Sequence, residues 1–155
     1  MLQNPLEKHC AATVILVTQE QPRKTLLLWH KKLQVWIPPG GHVEPHENPF
    51  EAALREVQEE TGLDISSQVP HVHVLDDRAA LIPLPRWILE EQIATHGDKP
   101  AHCHIDHVYV VEIPFQEAIH DPNESEGVRW ITEDEIDDTE MFENCRVLLR
   151  EIFSS

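Results

Sequence analysis

Apolar and polar positions change period several times along this chain, and each change marks an element. Ala11 to Val17 (AATVILV) and Thr25 to Trp29 (TLLLW) are apolar runs parted by the polar stretch Gln19-Glu20-Gln21-Pro22-Arg23-Lys24, which predicts two strands joined by a turn. Val35-Trp36-Ile37 predicts a short strand leading into the loop Pro38-Pro39-Gly40-Gly41. The period then becomes helical: Phe50, Leu54, Val57 and Thr61 recur at i, i+4, i+7 and i+11 and form one core-facing stripe. Asn48 is a natural N-cap, Pro49 fits the first helical position, Glu51 the third, and Gly62 can stop the helix in the left-handed conformation. Further strands are predicted over Val69–Leu75 and Arg86–Ile93, the second with Pro83 and Pro85 ahead of it, where proline is tolerated. Ile105, His107, Tyr109, Val111 and Ile113 alternate along the next strand until Pro114 ends it. After Val128–Ile131, Thr132 and Glu135 make a capping box, and Met141, Cys145, Leu148, Leu149 and Ile152 predict a terminal amphipathic helix. Strands on both sides of one helix, with a second helix at the end, imply an α/β fold with a mixed sheet between helices, in one domain over residues 1–155.

Composition narrows the function classes. A chain of 155 residues can bury a proper core. No apolar run is long enough to span a membrane, and Met1-Leu2-Gln3-Asn4-Pro5 carries no signal-peptide pattern. The cysteines Cys10, Cys103 and Cys145 are odd in number and lack metal spacing, which suits a reducing cytoplasm. Cys10 and Cys145 are expected to be buried as small hydrophobes. The formal net charge of −16 argues against general nucleic-acid binding. It leaves room for a phosphate-bearing small molecule, because a bound cation reverses the local field. Lys31 and Lys32 read as a charged hairpin turn.

The chemistry concentrates between Gly41 and Leu63. On the predicted helix, Glu56, Glu59 and Glu60 cluster roughly opposite the apolar stripe, beside the small Ala52 and Ala53, with Arg55 as the nearby positive charge. Exposed like charges one turn apart cost only about 0.2–0.5 kcal/mol per pair, so repulsion alone does not distinguish a ligand set from a solvated face. The preceding glycines do: Gly40-Gly41 let the backbone approach an ion or a phosphate. Clustered oxygen donors suit a hard cation such as Mg²⁺. The whole stretch fits G-x5-E-x7-R-E-U-x-E-E-x-G-U, with U aliphatic, at every fixed position from Gly41 through Glu47, Arg55, Glu56, Val57, Glu59, Glu60 and Gly62 to Leu63. At average residue usage a chance match is rarer than about one in a million.

This pattern resembles the box of the Nudix hydrolase superfamily (MutT-like). The resemblance implies an α/β/α sandwich and hydrolysis, with Mg²⁺ or Mn²⁺, of a pyrophosphate bond in a nucleoside diphosphate linked to another moiety. Carried over, Glu56, Glu59 and Glu60 resemble the metal-binding carboxylates, with the Gly41 or Gly40 carbonyl as a further ligand. Arg55 and Glu47 resemble the pair that positions the helix. The general base is left open between Glu56 and two glutamates of a later loop, Glu124 and Glu126. The implied partner is a small nucleotide-type substrate, with homodimerisation left open. Arg78–Leu81 supplies neither the proline expected of ADP-ribose pyrophosphatases nor the tyrosine of dinucleoside polyphosphate hydrolases, and the flanking motifs of the NADH and coenzyme A subclasses are missing, so a nucleoside triphosphate or nucleotide sugar is the expected substrate. A Nudix-fold nucleotide-sensing module with weak catalysis is the alternative.

Two residue types stand outside the box. The chain has 11 histidines, densest in His102-Cys103-His104-Ile105-Asp106-His107. On a strand His102, His104 and Asp106 point the same way, as a transition-metal cluster would; the preferred reading is a polar face at the rim of the substrate cleft. His71 and His73 form a similar pair. Gly40, His42, Trp36, Trp87 and His104 are therefore the candidate substrate contacts, the tryptophans offering faces on which a base can stack. Trp29 and Trp130 are expected in the core.

Overall fold

A computed structural model describes residues 5–123 and 125–155. Strand β1 (Lys8–Thr18) is the spine, and its continuous apolar reading follows from being covered on both faces. One edge of β1 runs parallel to β8 (His102–Ile113), in register from Lys8↔Cys103 to Thr18↔Ile113. Its other edge is shared. The end near Val17 meets β2 (Lys24–His30), and Ala11–Thr13 pairs antiparallel with β4 (Gly40–His42). The sheet order is β3-β2-β1-β8-β7, with β3 (Val35–Ile37) and β7 (Trp87–Ile93) outermost and β9 (Val128–Thr132) pairing with β2. The β1–β8 pair is parallel and the others antiparallel, so the sheet is mixed.

Two cores result. Ala12, Val14, Leu16, Leu26, Leu28, Tyr109, Val111 and Ile113 pack with Phe50, Ala52, Ala53 and Val57 of α1 (Pro49–Thr61). On the opposite face Ile15, Val17, Leu27, Val108 and Ile131 pack with Cys145, Leu149, Ile152 and Phe153 of α2 (Glu143–Phe153). Each fully buried aliphatic side chain contributes about 1.5–3 kcal/mol relative to exposure. Helix α1 has the boundaries its caps predict: Asn48 accepts from Glu51 N–H, the Glu51 side chain reaches back to Asn48 N–H, and Gly62 has φ 73°. At Thr132 the capping box opens a single 3-10 turn, Glu133–Glu135.

Some expectations differ from what is observed. The strand predicted over residues 69–75 shrinks to β5 (His73–Val74), which pairs with β6 (Ala80–Leu81) away from the main sheet. Pro70 has no N–H for a ladder, and Val72, Val74 and Leu75 remain exposed. Cys10 is exposed, while Cys103 and Cys145 are buried. Gly40 and Gly41 lie within a strand rather than a loop. The terminal helix starts at Glu143, so Met141 packs from the segment before it. No helix among the described residues is long and apolar enough to cross a membrane.

Candidate active site

The glycines are held by β1. Ala12 faces Gly41 and Thr13 faces Gly40, while Val14 N–H donates to the Pro39 carbonyl at 2.9 Å and Val43 N–H to the Cys10 carbonyl at 3.0 Å. The two glycines look to opposite faces of the sheet. A Cβ on Gly41 would lie 2.7 Å from Glu56 Cδ and nearer still to its Oε1. One on Gly40 would meet the Ala12 carbonyl oxygen at 2.5 Å and Thr13 Cα at 3.0 Å. The second collision is with backbone, which has nowhere to go. Gly40→Ala is therefore expected to lower stability by about 1–3 kcal/mol, measured by urea unfolding, through loss of β1–β4 pairing.

Arg55 organises the charges of α1. Its guanidinium donates from Nε to Glu47 Oε2 at 3.0 Å, from Nη2 to Glu47 Oε1 at 2.5 Å, and from Nη1 to Glu56 at 2.9 Å and Glu59 at 3.1 Å. Nη2 also donates to the His42 carbonyl at 3.1 Å, which ties the helix to the strand carrying Gly41. Hydrogen bonding to Glu47 first, then to Glu56, holds the guanidinium firmly protonated against the opposing effect of burial. In return Arg55 holds the Glu47 carboxyl below the usual carboxylate range. Burial pushes Glu56 the other way, above that range, with Arg55 opposing the shift.

The three helix glutamates do not form the uniform exposed face that helical periodicity suggests. Side-chain exposure is 13% at Glu56 and 52% at Glu59, and Glu60 is buried. Glu60 Oε1 accepts the Gly40 N–H at 2.8 Å. The cause is packing: Ala52 and Ala53 bury their side of the helix against the sheet, and this rotation carries Glu60 inward with them. The resulting donor set suits a hard divalent cation. Carboxylate oxygens crowd a backbone strand at a spot where glycine alone leaves room.

Beside the glycines lies a cleft of about 200 Å³. Its walls are apolar (Ile15, Leu33, Ile37, Leu89, Phe142 and Leu148), and polar groups converge from β7 and β8. Two wider hollows of about 560 and 580 Å³ open elsewhere, and neither is lined by Gly40, Gly41 or a glutamate of the helix. Asp106 is only 4% exposed; its Oδ2 accepts from the Thr13 hydroxyl at 2.7 Å, and its Oδ1 has no partner among the described residues. Burial raises the Asp106 carboxyl, Thr13 working against the shift. Burial, followed by the charge of Asp106, raises Glu91 to about 7. Burial, then neighbouring His42, pushes His104 down to about 4. Sequence reasoning did not single out Glu91, Phe142 or Asn144 as site residues. Glu91 belongs to an ordinary polar alternation on β7, and the other two sit at the start of α2, which only the tertiary fold brings over the glycines.

Glu91 gives a pH prediction. The folded chain holds this proton up to about pH 7, whereas a carboxyl in the unfolded chain releases it near the ordinary value of 4.5. The folded state binds more protons in that window, so this group's contribution to stability falls as pH rises through it. Glu91→Gln is expected to be more stable than the parent at pH 8 by about 1–2 kcal/mol, after allowance for solvent screening. The gain should vanish near pH 4, where both states carry the proton; urea unfolding at the two pH values measures it.

The other candidates are spread around the fold. His104 lines the cleft, and His42 contacts it edge to face across β4 and β8, with ring centroids 4.7 Å apart. Trp36 and Trp87 pack against the core on the α2 side, and neither is among the residues lining the cleft. Glu126 pairs with Lys31 at 3.3 Å, its backbone N–H donating to the Trp29 carbonyl. Glu124 lies outside the described residues. Lys31 belongs to the turn between β2 and β3, and His71 and His73 are exposed.

A mixed sheet between two helices, with a strand–helix carboxylate cradle against its central strand β1, is the architecture of the Nudix class of α/β proteins. The chain belongs to the NUDIX domain family, whose model matches residues 8–151. A solved structure of a hydrolase of the NUDIX family from Clostridium perfringens is similar throughout, with a TM-score of 0.72, 25% identity, and coverage of 96% of this chain and 98% of that one. The C. elegans Ap4A hydrolase binary complex shares the fold at a TM-score of 0.62 and 19% identity, covering 94% and 96%. Among curated relatives, the putative 8-oxo-dGTP diphosphatase of Bacillus subtilis is 27% identical over 121 residues, 78% of this chain and 64% of that protein. The human m7GpppN-mRNA hydrolase NUDT17 is 26% identical over 141 residues, 84% of this chain and 40% of that protein. The match to its Xenopus laevis counterpart covers only 19% of that protein, so the chain spans well under two thirds of such relatives.

Proposed function

We propose that this chain is a divalent-cation-dependent pyrophosphohydrolase that cleaves a phosphoanhydride bond in a small nucleotide-type substrate, of the nucleoside triphosphate or nucleotide-sugar kind. The observation that carries the reading is the Arg55 fork, which gathers Glu47, Glu56 and Glu59 beside Gly41. Glu56, Glu59 and Glu60, with the Gly41 carbonyl, would hold the cation, Mg²⁺ or Mn²⁺. Bound there, such an ion neutralises charge on the phosphate oxygens and polarises the phosphorus toward attack. The relatives' names specify Ap4A, m7GpppN-mRNA and 8-oxo-dGTP, each a nucleoside joined to a phosphoanhydride chain.

The roles of the chain's own groups follow from their surroundings. Arg55 keeps Glu47 ionised and fixes Glu56 and Glu59 in one orientation. A glutamate accepts the proton of the attacking water as the anhydride P–O bond breaks. Glu56 suits this because burial raises its carboxyl toward the range in which a base is effective. Glu126 is the alternative base. Glu60 ties the Gly40 amide to the helix. The apolar cleft, lined by the half-exposed Leu33 and Phe142 among others, accepts a flat base, and Glu91, Asp106 and His104 offer its edge hydrogen-bonding groups.

A nucleotide panel assayed with Mg²⁺ and with Mn²⁺ for phosphate, pyrophosphate and nucleoside monophosphate tests this. Release of nucleoside monophosphate from at least one substrate, lost on chelation, is the expected result. Tight nucleotide binding with no turnover on any substrate would replace the reading with a nucleotide-sensing module. Gly41→Ala is a sharper probe, because its Cβ meets the flexible end of Glu56 rather than backbone. It should leave the unfolding midpoint near that of the parent while lowering turnover by roughly 10²-fold or more.

A further inference from the structure

We propose that His9, His42, His102 and His104 form a binding site for one transition-metal ion of the zinc class, distinct in donor chemistry from the glutamate cradle. Three strands build it. His9 on β1 is the register partner of His104 on β8, and Ala11 on β1 is the partner of both His42 on β4 and Asp106 on β8. Because side chains alternate along a strand, these pairings put His9, His42, His102 and His104 on one face of the sheet. Asp106 shares that face but is turned to Thr13 and stays out of the group.

The ring nitrogens converge. His104 Nε2 lies 3.0 Å from His102 Nε2 and 3.2 Å from His42 Nε2. One ligand atom from each of His9, His42 and His102 falls within 4.8 Å of the others, and the His9 and His102 rings stack at 4.6 Å. Ordinary two-centre hydrogen bonding does not satisfy this arrangement. His102 Nδ1 is 3.0 Å from the Pro100 carbonyl, so it carries the hydrogen and leaves the lone pair of the neutral ring on Nε2. His104 Nε2 has either one hydrogen or one lone pair, yet it faces two nitrogens at bonding distance. A cation resolves the conflict by accepting all the lone pairs. With metal–nitrogen bonds of about 2.0–2.1 Å, a tetrahedral ion sets its ligand atoms about 3.3–3.4 Å apart, close to the two spacings about His104 Nε2 and within the 4.8 Å that bounds the His9, His42 and His102 atoms.

The surroundings fit as well. The Pro100 carbonyl orients His102 as outer partners orient metal-bound imidazoles, and the Glu7 carboxylate, 3.2 Å from His9 Nε2, does so for His9. Imidazole nitrogens select zinc-like ions, and carboxylate and carbonyl oxygens select magnesium, so the two sites would not compete for one metal. An ion here would fasten β4 to β1 and β8 one residue beyond Gly41.

The test uses tag-free protein stripped of metal. Zn²⁺ binding is measured by calorimetry, Co²⁺ binding by its visible absorption, and thermal unfolding is followed with and without Zn²⁺. One Zn²⁺ per chain is expected, with tetrahedral Co²⁺ bands. The unfolding midpoint should rise by about 5–10 °C at a roughly hundredfold excess over Kd, with no such rise on adding Mg²⁺ alone. The His9→Asn/His102→Asn double variant, folded by circular dichroism, should lose the stoichiometric site. Should it not fold, His9→Asn alone should weaken binding by at least about tenfold. Substoichiometric binding by the parent, retained binding by the folded double variant, or unchanged affinity in His9→Asn would each overturn the proposal. None of these readouts depends on hydrolysis, so they stand or fall apart from the proposed activity.

Discussion

Glu56→Gln is expected to lower turnover by roughly 10²- to 10⁴-fold, the range for removal of a positioned acid–base group, while the protein stays folded. The substitution keeps the shape that fits against Gly41 and an oxygen to accept from Arg55, so packing is preserved. It removes a negative charge and a proton acceptor from the centre of the cradle. Glu59→Gln is the matched control on the exposed side: it too should lose turnover by orders of magnitude if Glu59 helps to hold the cation, with little change in stability. Steady-state rates and urea unfolding on the same preparations measure both effects. Near-parental rates in both variants would remove these glutamates from the mechanism.

Arg55→Ala is expected to be the most damaging single change to the site, costing about 1–3 kcal/mol of stability together with activity. The reason is Glu47, whose side chain is only 6% exposed and whose carboxylate takes three of the Arg55 hydrogen bonds. Without Arg55 that carboxylate loses its counter-ion and all three of those hydrogen bonds. Urea unfolding should show part of the loss restored in Arg55→Ala/Glu47→Leu, in which no charge is stranded, although turnover should stay low because nothing orients Glu56 and Glu59. Full stability in the single variant would mean that Glu47 finds solvent or another partner. The same pair implies acid sensitivity: Glu47 is held below the usual carboxylate range, so its stabilising effect is present above about 4.5 and fades as the pH falls through its lower folded value.

Much of the cradle was legible because it is local in sequence. The Asn48 cap, Pro49, Glu51 and Gly62 each act within one turn of α1, and their positions fix its ends. The orientation of that helix was not legible. Periodicity placed Glu56, Glu59 and Glu60 together, whereas packing of Ala52 and Ala53 buries Glu60 on the Gly40 amide and leaves Glu59 in solvent. Trp36 and Trp87 were the tryptophans expected to stack on a base. Their places against the α2-side core, with Phe142 at the cleft instead, depend on how α2 lies across the sheet.

The histidines mark the same boundary. That His102 and His104 share a face follows from strand alternation alone. That His9 and His42 join them, 93 and 62 positions away from His102 and His104 respectively, follows only from the registers of β1 with β8 and of β1 with β4. The sequence by itself determined the class of fold, the ends of α1 and the kind of chemistry its carboxylates can support, because those depend on residue type and short spacing. The tertiary structure alone decided which glutamate is buried, which groups line the cleft and where the imidazoles meet. Those outcomes depend on strand register and on the burial of apolar faces between layers, and neither is encoded by any one segment.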